Sequence, residues 1–285
     1  MQRLAELQAR IHSLSELGDV VSALRAVSAA RVEQARGVLE ATRRYTQTIE
    51  EAISEAIGGS TPLPDETVER AGGGYVVAFG SEYGFVGSLN HRVLDHALHA
   101  RKDGDTLLLV GSRLEIVATE RREPVAWSTP MAAQIGAVDG VALRVAAELA
   151  RACASSTMDR VILVYTASAG GGARNPVSEA VLPFDVRRHT PAHEHLPAAL
   201  STLPRRELVD GLAEELLFAE LAHAATESFA SENIARLATM EAAADNVRGK
   251  LGELDELEHE LRQEDITMEM LDVVTGAAAV DPRAR

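Results

Sequence analysis

The chain has 285 residues, enough for one large or two modest domains. Apolar residues make up 46% of it but aromatic residues only 4%, which favours slim, alanine-rich helices over a bulky core. A single cysteine, Cys153, excludes an intramolecular disulfide framework. No apolar run approaches ~18 residues, so no transmembrane helix is expected. The amphipathic start predicts neither a signal peptide nor a transit peptide.

The formal net charge of −15 is distributed unevenly. Residues 205–275 carry six Lys or Arg against eighteen Asp or Glu, a net of −12. A surface this acidic repels nucleic acid and anionic lipid. It is either a solvated helix face or a face that meets a basic partner.

The first predicted element is a long N-terminal helix over residues 1–57. Apolar residues recur every three or four positions, at Leu4, Leu7, Ile11, Leu14, Val21 and Leu24. The helical pattern continues through Ala35, Leu39, Tyr45, Ile49 and Ala56. Glycines and prolines from Gly58 to Pro64 then end it.

The middle of the chain, residues 72–204, predicts a compact α/β domain. Short apolar runs at 74–79, 106–110 and 161–165 fit buried strands, and helical patterns cover 92–100 and 141–153. Strands that alternate with helices favour a largely parallel, Rossmann-like sheet. Residues 176–204, rich in proline and histidine, are interpreted as the connection to the last helix.

The loop at residues 80–90 follows a strand and precedes a helix, where a phosphate cradle would lie. It lacks a Lys-Ser/Thr ending, and its glycine spacing fits no nucleotide fingerprint. We therefore interpret Gly84, Gly87 and Asn90 as a structural turn that binds no nucleotide.

No other stretch predicts catalysis, a cofactor or a metal. Residues 170–175 are interpreted as a mobile connection. His189, His193 and His195, with Glu194, fit no zinc spacing. Cys153 lies on an apolar helix face and is predicted to belong to the core.

The C-terminal third, residues 205–280, predicts one uninterrupted helix. Its apolar stripe repeats every three or four residues, and Glu258 is the one polar residue in it. The apolar members of the stripe are Leu237, Met240, Ala244, Val247, Leu251, Leu254 and Leu261. About 70 helical residues would span on the order of 100 Å. The matched stripes at both termini predict an antiparallel coiled coil within one chain. The alternative is two helices that pack separately on the central domain.

The N-terminal run at residues 10–31 resembles the first helix of the gamma subunit of F-type ATP synthases, and residues 84–90 resemble that family's glycine-rich turn. The most specific likeness lies at residues 231–240 and 262–269, and the Gly-Ala-Ala-Ala of residues 276–279 closes the chain as the family does. The family usually has methionine where this chain has Leu24 and Ala26, and only two lysines are present. These features indicate a divergent member.

The resemblance implies a non-catalytic rotor, with catalysis on partner beta subunits. The two terminal helices would form a shaft inside a hexamer of alpha and beta subunits, and the central domain would stand on the membrane c-ring with the epsilon subunit. It further implies a peripheral location on the cytoplasmic face of a bacterial inner membrane, in ATP synthesis and ion transport. The shaft residues expected to contact the hexamer are Leu24, Arg25, Arg31, Arg262, Gln263, Asp265, Thr267 and Glu269.

Two other classes of function remain open from the residues alone. A cytoplasmic coiled-coil adaptor or signalling protein with an inserted α/β module would form a stable homodimer. A nucleotide-dependent enzyme built on the central domain would bind nucleotide as an isolated chain.

Overall fold

The computed structural model describes residues 2–57, 73–155, 158–168, 175–183 and 202–280. The helices are α1 (Gln2–Ile57), α2 (Leu89–Ala100), α3 (Ser112–Glu120), α4 (Val138–Ser155) and α5 (Arg205–Val280), with a short 3-10 turn at Ile135–Ala137. The strands are β1 (Gly73–Phe79), β2 (Thr106–Val110), β3 (Trp127–Thr129), β4 (Met158–Thr166) and β5 (Pro176–Leu182). The predicted mixed α/β class, with long terminal helices and a mainly parallel central sheet, is confirmed.

By its internal contacts the chain divides into two compact units. The tip unit joins Met1–Val27 to Leu237–Arg285, and the sheet unit is Ser28–Arg236. Each unit contains part of α1 and part of α5.

The sheet unit is built around five strands in the order β3-β2-β1-β4-β5. The pairs β1–β2, β1–β4 and β2–β3 are parallel, and β5 runs antiparallel to β4 at the edge. Since β1 lies between β2 and β4, the strand order reverses at the β1–β4 pair. In doubly wound folds, such a reversal opens a crevice at the carboxyl ends of the strands.

Alternating side chains on β1 separate the core into two layers. Val77 and Phe79 pack with residues of α1, α4 and α5 on one face of the sheet. Val76 and Ala78 pack with α2 and α3 on the other face. The sheet is therefore buried on both sides, as its continuous apolar strands predict.

The sheet unit differs from the sequence prediction at three elements. The helix α3 and the strands β3 and β5 are additional, and β5 occupies the start of the segment interpreted as a connection. Strand β3 has only three residues, and β5 at the sheet edge has a single buried position, Pro176, among exposed and half-buried ones. Neither supplies the apolar run by which the central strands are recognised.

Two side chains point elsewhere than predicted. Cys153 is exposed, because the neighbouring Ala152 takes the inward position on α4. Tyr45 is also exposed, and its hydroxyl donates a hydrogen bond to Glu215. The half-buried position beside it is Thr46.

Candidate functional site

In the tip unit, α1 and α5 pair in antiparallel orientation. Leu7, Val21 and Met240 are buried, as the stripe positions predict. The side chain of Gln8 donates a 2.8 Å hydrogen bond to Glu258. Further along, a Cβ placed on Gly18 would lie only 3.3 Å from Cγ1 of Val247, so this glycine permits a close approach of the helices. The intramolecular coiled coil expected from the sequence is therefore present in this unit.

The polar stripe position at Glu258 has a partner within the chain. Its carboxylate accepts hydrogen bonds from Gln8, on the opposite helix, and from Arg262 at 2.6 Å. The hydrogen bond from Gln8 is the main cause that lowers the pKa of Glu258. The contact with Gln8 on the partner helix explains why this stripe position is polar.

The residues predicted to contact a catalytic hexamer fall into two exposure classes. Leu24, Arg31 and Asp265 are half-buried, and the exposed ones are Arg25, Arg262, Gln263, Thr267 and Glu269. Thr267 donates a 2.8 Å hydrogen bond to the backbone oxygen of Gln263 one turn earlier. The structure brings together the five residues of α5, whereas Arg31 belongs to the sheet unit.

The end of α5 carries an apolar surface that the sequence reasoning missed. It is formed by side chains that are more than half exposed, namely Ile266, Met268, Met270, Leu271, Val273 and Val274. The available signal was the return of apolar residues after Leu261, the last stripe position. Large apolar surface of this kind marks an interaction site.

In the sheet unit, residues 81–90 form an ordered turn between β1 and α2. The buried side chain of Asn90 accepts a hydrogen bond from the backbone of Ser81 at 2.9 Å and donates one to its hydroxyl at 2.8 Å. Gly87 has a φ of +58°, which L side chains rarely adopt. The backbone oxygen of Gly84 accepts a 3.1 Å hydrogen bond from Arg236 of α5.

The same turn carries a carboxylate that joins three strand ends. Glu82 accepts hydrogen bonds from the backbone of Ser112 at 3.1 Å and of Met131 at 2.8 Å, and from the hydroxyl of Ser112 at 2.8 Å. These donors follow β2 and β3. The loops after β1, β2 and β3 are thus tied together by one side chain, which favours a rigid crevice rim.

A second group of charges lies beside β4 and β5 and is called here the acidic cluster. Its members come from α1, β4, β5 and α5 and are Arg43, Glu50, Tyr165, Glu179, Glu220, His223 and Glu227. Tyr165 donates a 2.8 Å hydrogen bond to Glu179, and its ring meets that of His223 edge-on. Arg43 donates a 3.0 Å hydrogen bond to Glu227.

Burial and like charge shift the pKa values of this cluster. Burial is the main cause that raises the pKa of Glu220 to about 7, and the charges of Glu179 and Glu50 add to it. Burial also lowers the pKa of His223, against the opposite influence of Glu227 and Glu179. A carboxyl group at the centre of the cluster therefore titrates near neutral pH.

Neither a metal site nor a membrane span is found in the part of the chain that the structure describes. No three of its His, Cys, Asp and Glu side chains are arranged to hold a metal ion. None of its helices combines the length and the apolar character needed to cross a bilayer. The predicted histidine group at 189–195 and most of residues 170–175 lie outside the described residues.

Two long terminal helices, with a doubly wound sheet between them in the chain, define a mixed α/β class of protein. The family model described as ATP synthase matches residues 3–280. This chain therefore belongs to the ATP synthase family, as a gamma-type member.

Individual relatives agree with this placement. The chain is 26% identical to the ATP synthase gamma chain of Xanthomonas oryzae pv. oryzae, with 96% of this chain and 98% of the relative covered. It is 28% identical to that of Trichormus variabilis, covering 98% of this chain and all of the relative. Among solved structures, it resembles a chain in the Euglena gracilis mitochondrial ATP synthase complex of OSCP, F1 and c-ring, at a TM-score of 0.65 and 18% identity, covering 100% and 98% of the two chains.

Proposed function

We propose that this chain is the central rotor that couples ion flow through a membrane ring to ATP synthesis or hydrolysis on a ring of catalytic subunits. The observation that carries the proposal is the family match over residues 3–280, which takes in both long helices and the sheet between them. The chain itself is the non-catalytic stalk. A rotor acts by contact, because an asymmetric shaft biases each of several like sites toward a different conformation.

The partners we propose are alpha and beta subunits around the helical shaft, and the epsilon subunit and c-ring at the sheet domain. The similar solved structures are those of a rotor, of an F1 with c-ring, and of a central stalk with c-ring. We propose residues 1–57 and 205–280 as shaft segments and 72–204 as the domain that faces the ring. We further propose that the complex lies at the cytoplasmic face of a bacterial inner membrane. The similarity to the gamma chain of Xanthomonas oryzae, a bacterium, supports this proposal.

The proposed hexamer contacts are Arg25, Arg262, Gln263, Thr267 and Glu269, with the half-buried Leu24, Arg31 and Asp265 beside them. The exposed side chains of this set present polar groups to a partner, and those of α5 are neighbours in sequence of the apolar end of that helix. A coiled-coil adaptor is not favoured, because the family match covers the inserted domain as well as the helices.

The test is a coupling measurement in membrane vesicles that contain the complete complex. Replacing Arg262 and Gln263 by alanine should leave the ATPase assembled but reduce ion uptake per ATP hydrolysed. Arg248→Ala is the matched control, because Arg248 is an exposed α5 arginine that pairs with Asp245 on its own helix. Equal coupling in both variants would remove Arg262 and Gln263 from the contact set. Failure of the tagged chain to copurify with ATPase subunits would contradict the rotor function itself.

A further inference from the structure

The crevice at the carboxyl ends of β1 and β4 is the place where doubly wound sheets bind ligands. Unpaired backbone N–H groups at such strand ends attract anions, since consecutive N–H dipoles point to one spot. In this chain, residues 227–236 of α5 lie beside these strand ends. Two buried glutamates of this segment, Glu227 and Glu232, accept hydrogen bonds from the loop backbone.

The contacts of Glu232 are those of a bound oxyanion. Its two carboxylate oxygens accept hydrogen bonds from consecutive backbone N–H groups, those of Glu82 at 3.0 Å and Tyr83 at 3.2 Å. The guanidinium of Arg236 pairs with the same carboxylate and also donates to the oxygen of Gly84. Glu232 is only 2% exposed and Arg236 6%.

Glu227 makes similar contacts at the end of β4, with one backbone N–H group instead of two. One oxygen accepts a 2.6 Å hydrogen bond from the backbone of Ser168, just beyond the strand. The other accepts a 3.0 Å hydrogen bond from Arg43 of α1. Glu227 is also 2% exposed. The two glutamates therefore occupy the ends of both strands at which the sheet order reverses.

We propose that this crevice is an oxyanion-binding socket that the chain fills with its own Glu232 and Glu227. The occupant of the Glu232 half is a carboxylate held by two N–H groups and one guanidinium, a donor set that would accept any small planar oxyanion. The crevice is thereby closed to external ligands, and α5 is fastened to the strand ends. This inference goes beyond the rotor function and does not depend on it.

The proposal predicts chemical rescue. Glu232→Ala leaves the donors in place but removes the carboxylate, so Arg236 is buried without its partner. The melting temperature of the full-length chain should fall by roughly 5–10 °C in sodium chloride. Sodium formate at the same ionic strength should restore part of this loss, with a gain that grows with the logarithm of formate concentration, as expected for a ligand that binds only the folded state.

Two variants serve as controls. Glu232→Gln fills the socket with a neutral amide, whose NH₂ group faces a backbone N–H donor. This variant should therefore be less stable than the unaltered chain, and formate should not stabilise it because the socket is already occupied. Glu241→Ala removes an exposed carboxylate from the same helix and should neither lose stability nor respond to formate.

The outcomes that would overturn the proposal are specific. One is a Glu232→Ala variant whose formate gain is no larger than that of the unaltered chain. The other is a Glu232→Gln variant as stable as the unaltered chain, which would show that no anion is needed. If Glu232→Ala does not fold in chloride, the variant is refolded from urea in formate and in chloride. A refolding yield that is no higher in formate would then overturn the proposal.

Discussion

Asp105 is a buried charge that connects several elements of the sheet unit. This residue is 6% exposed and accepts hydrogen bonds from the backbone of Gly74 at 3.1 Å and of Lys102 at 2.8 Å. Its carboxylate also pairs with Arg160 of β4. One side chain thus joins the start of β1 to the neighbouring strand and to the turn before β2.

We predict that Asp105→Ala lowers the free energy of unfolding by about 3–5 kcal/mol. The variant leaves Arg160 and two backbone donors without their acceptor in a poorly hydrated place. Asp103→Ala, at an exposed position two residues away, should change it by no more than about 0.5 kcal/mol. Urea unfolding of the full-length chain measures both. Equal losses of unfolding free energy in the two variants would mean that the Asp105–Arg160 pair contributes little to stability.

Glu220 predicts a pH dependence of stability. Its pKa is raised from 4.5 to about 7 in the folded chain, so folding takes up a proton between these values. Stability from this group therefore falls as the pH rises from about 4.5 to 7, and the full loss is present above pH 7. Glu220→Gln, which stays neutral, should be more stable than the unaltered chain at pH 8, by an amount on the order of 1–3 kcal/mol.

The measurement is urea unfolding at pH 4.5 and pH 8 for both chains. The difference between them should be present at pH 8 and nearly absent at pH 4.5. Glu214→Gln is the control, because Glu214 is exposed on the same helix. A Glu220→Gln variant that is less stable at pH 8 would contradict the raised pKa and indicate that the carboxylate makes a favourable contact.

Residue-level features of the site were hard to predict because they depend on tertiary neighbours. The glycine-rich turn was visible in sequence, but nothing near Glu82 in the chain points to Glu232, 150 residues away. Cys153 shows a related difficulty. Its helix is apolar on more than one side, so the small Ala152 could take the inward position without breaking the pattern.

At the scale of elements, the pairing of α1 with α5 in the tip unit predicts a specific cross-link. Moving four residues from the Gly18–Val247 contact places Leu14 opposite Leu251, and both are half-buried stripe positions. A chain with Cys153→Ser, Leu14→Cys and Leu251→Cys should form a link within one chain upon mild oxidation. Intramolecular linking is expected because these side chains share one interface.

The readout is electrophoresis without reductant, before and after oxidation at low protein concentration. Replacing Leu251→Cys by Gly249→Cys gives a matched control, because position 249 is exposed with no side chain close to it. Linking that occurs only between chains would contradict the intramolecular coiled coil and support an adaptor-like dimer.

Elements were predictable wherever hydrophobic periodicity alone determines them. The two long helices carry apolar residues at three-and-four spacing over most of their length, and the strands β1, β2 and β4 each carry a continuous apolar run. By contrast, β5 is a strand because it pairs antiparallel with the edge of β4, and β3 is a strand because it pairs in parallel with β2. Too few of the residues in β3 and β5 are buried for these strands to be recognised from their sequences alone.

At the scale of the whole molecule, the apolar end of α5 is the surface for which the described chain offers no cover. Its side chains are 53–67% exposed, yet the helix continues through them to Val280. An exposed apolar helix end is an aggregation liability unless a partner buries it. In the proposed rotor, the hexamer of alpha and beta subunits would be that partner.

We predict that this apolar end contributes to assembly and coupling but little to folding. Replacing Ile266, Met270, Val273 and Val274 by glutamine should leave the thermal unfolding of the isolated chain nearly unchanged, because exposed positions contribute about 0.5 kcal/mol or less each. Glutamine is also a good helix former, so α5 should persist. Binding to the alpha and beta subunits should weaken, since the apolar area that a partner would bury is lost.

Copurification of the tagged variant with alpha and beta subunits measures this, together with ATP hydrolysis and ion uptake in the same vesicles. Arg248→Gln, an exposed polar change on the same helix, should retain both assembly and coupling. A quadruple variant that assembles fully and couples normally would show that the hexamer is held elsewhere on the shaft. A variant whose isolated chain melts well below the unaltered one would instead show that these side chains are buried within the chain in solution.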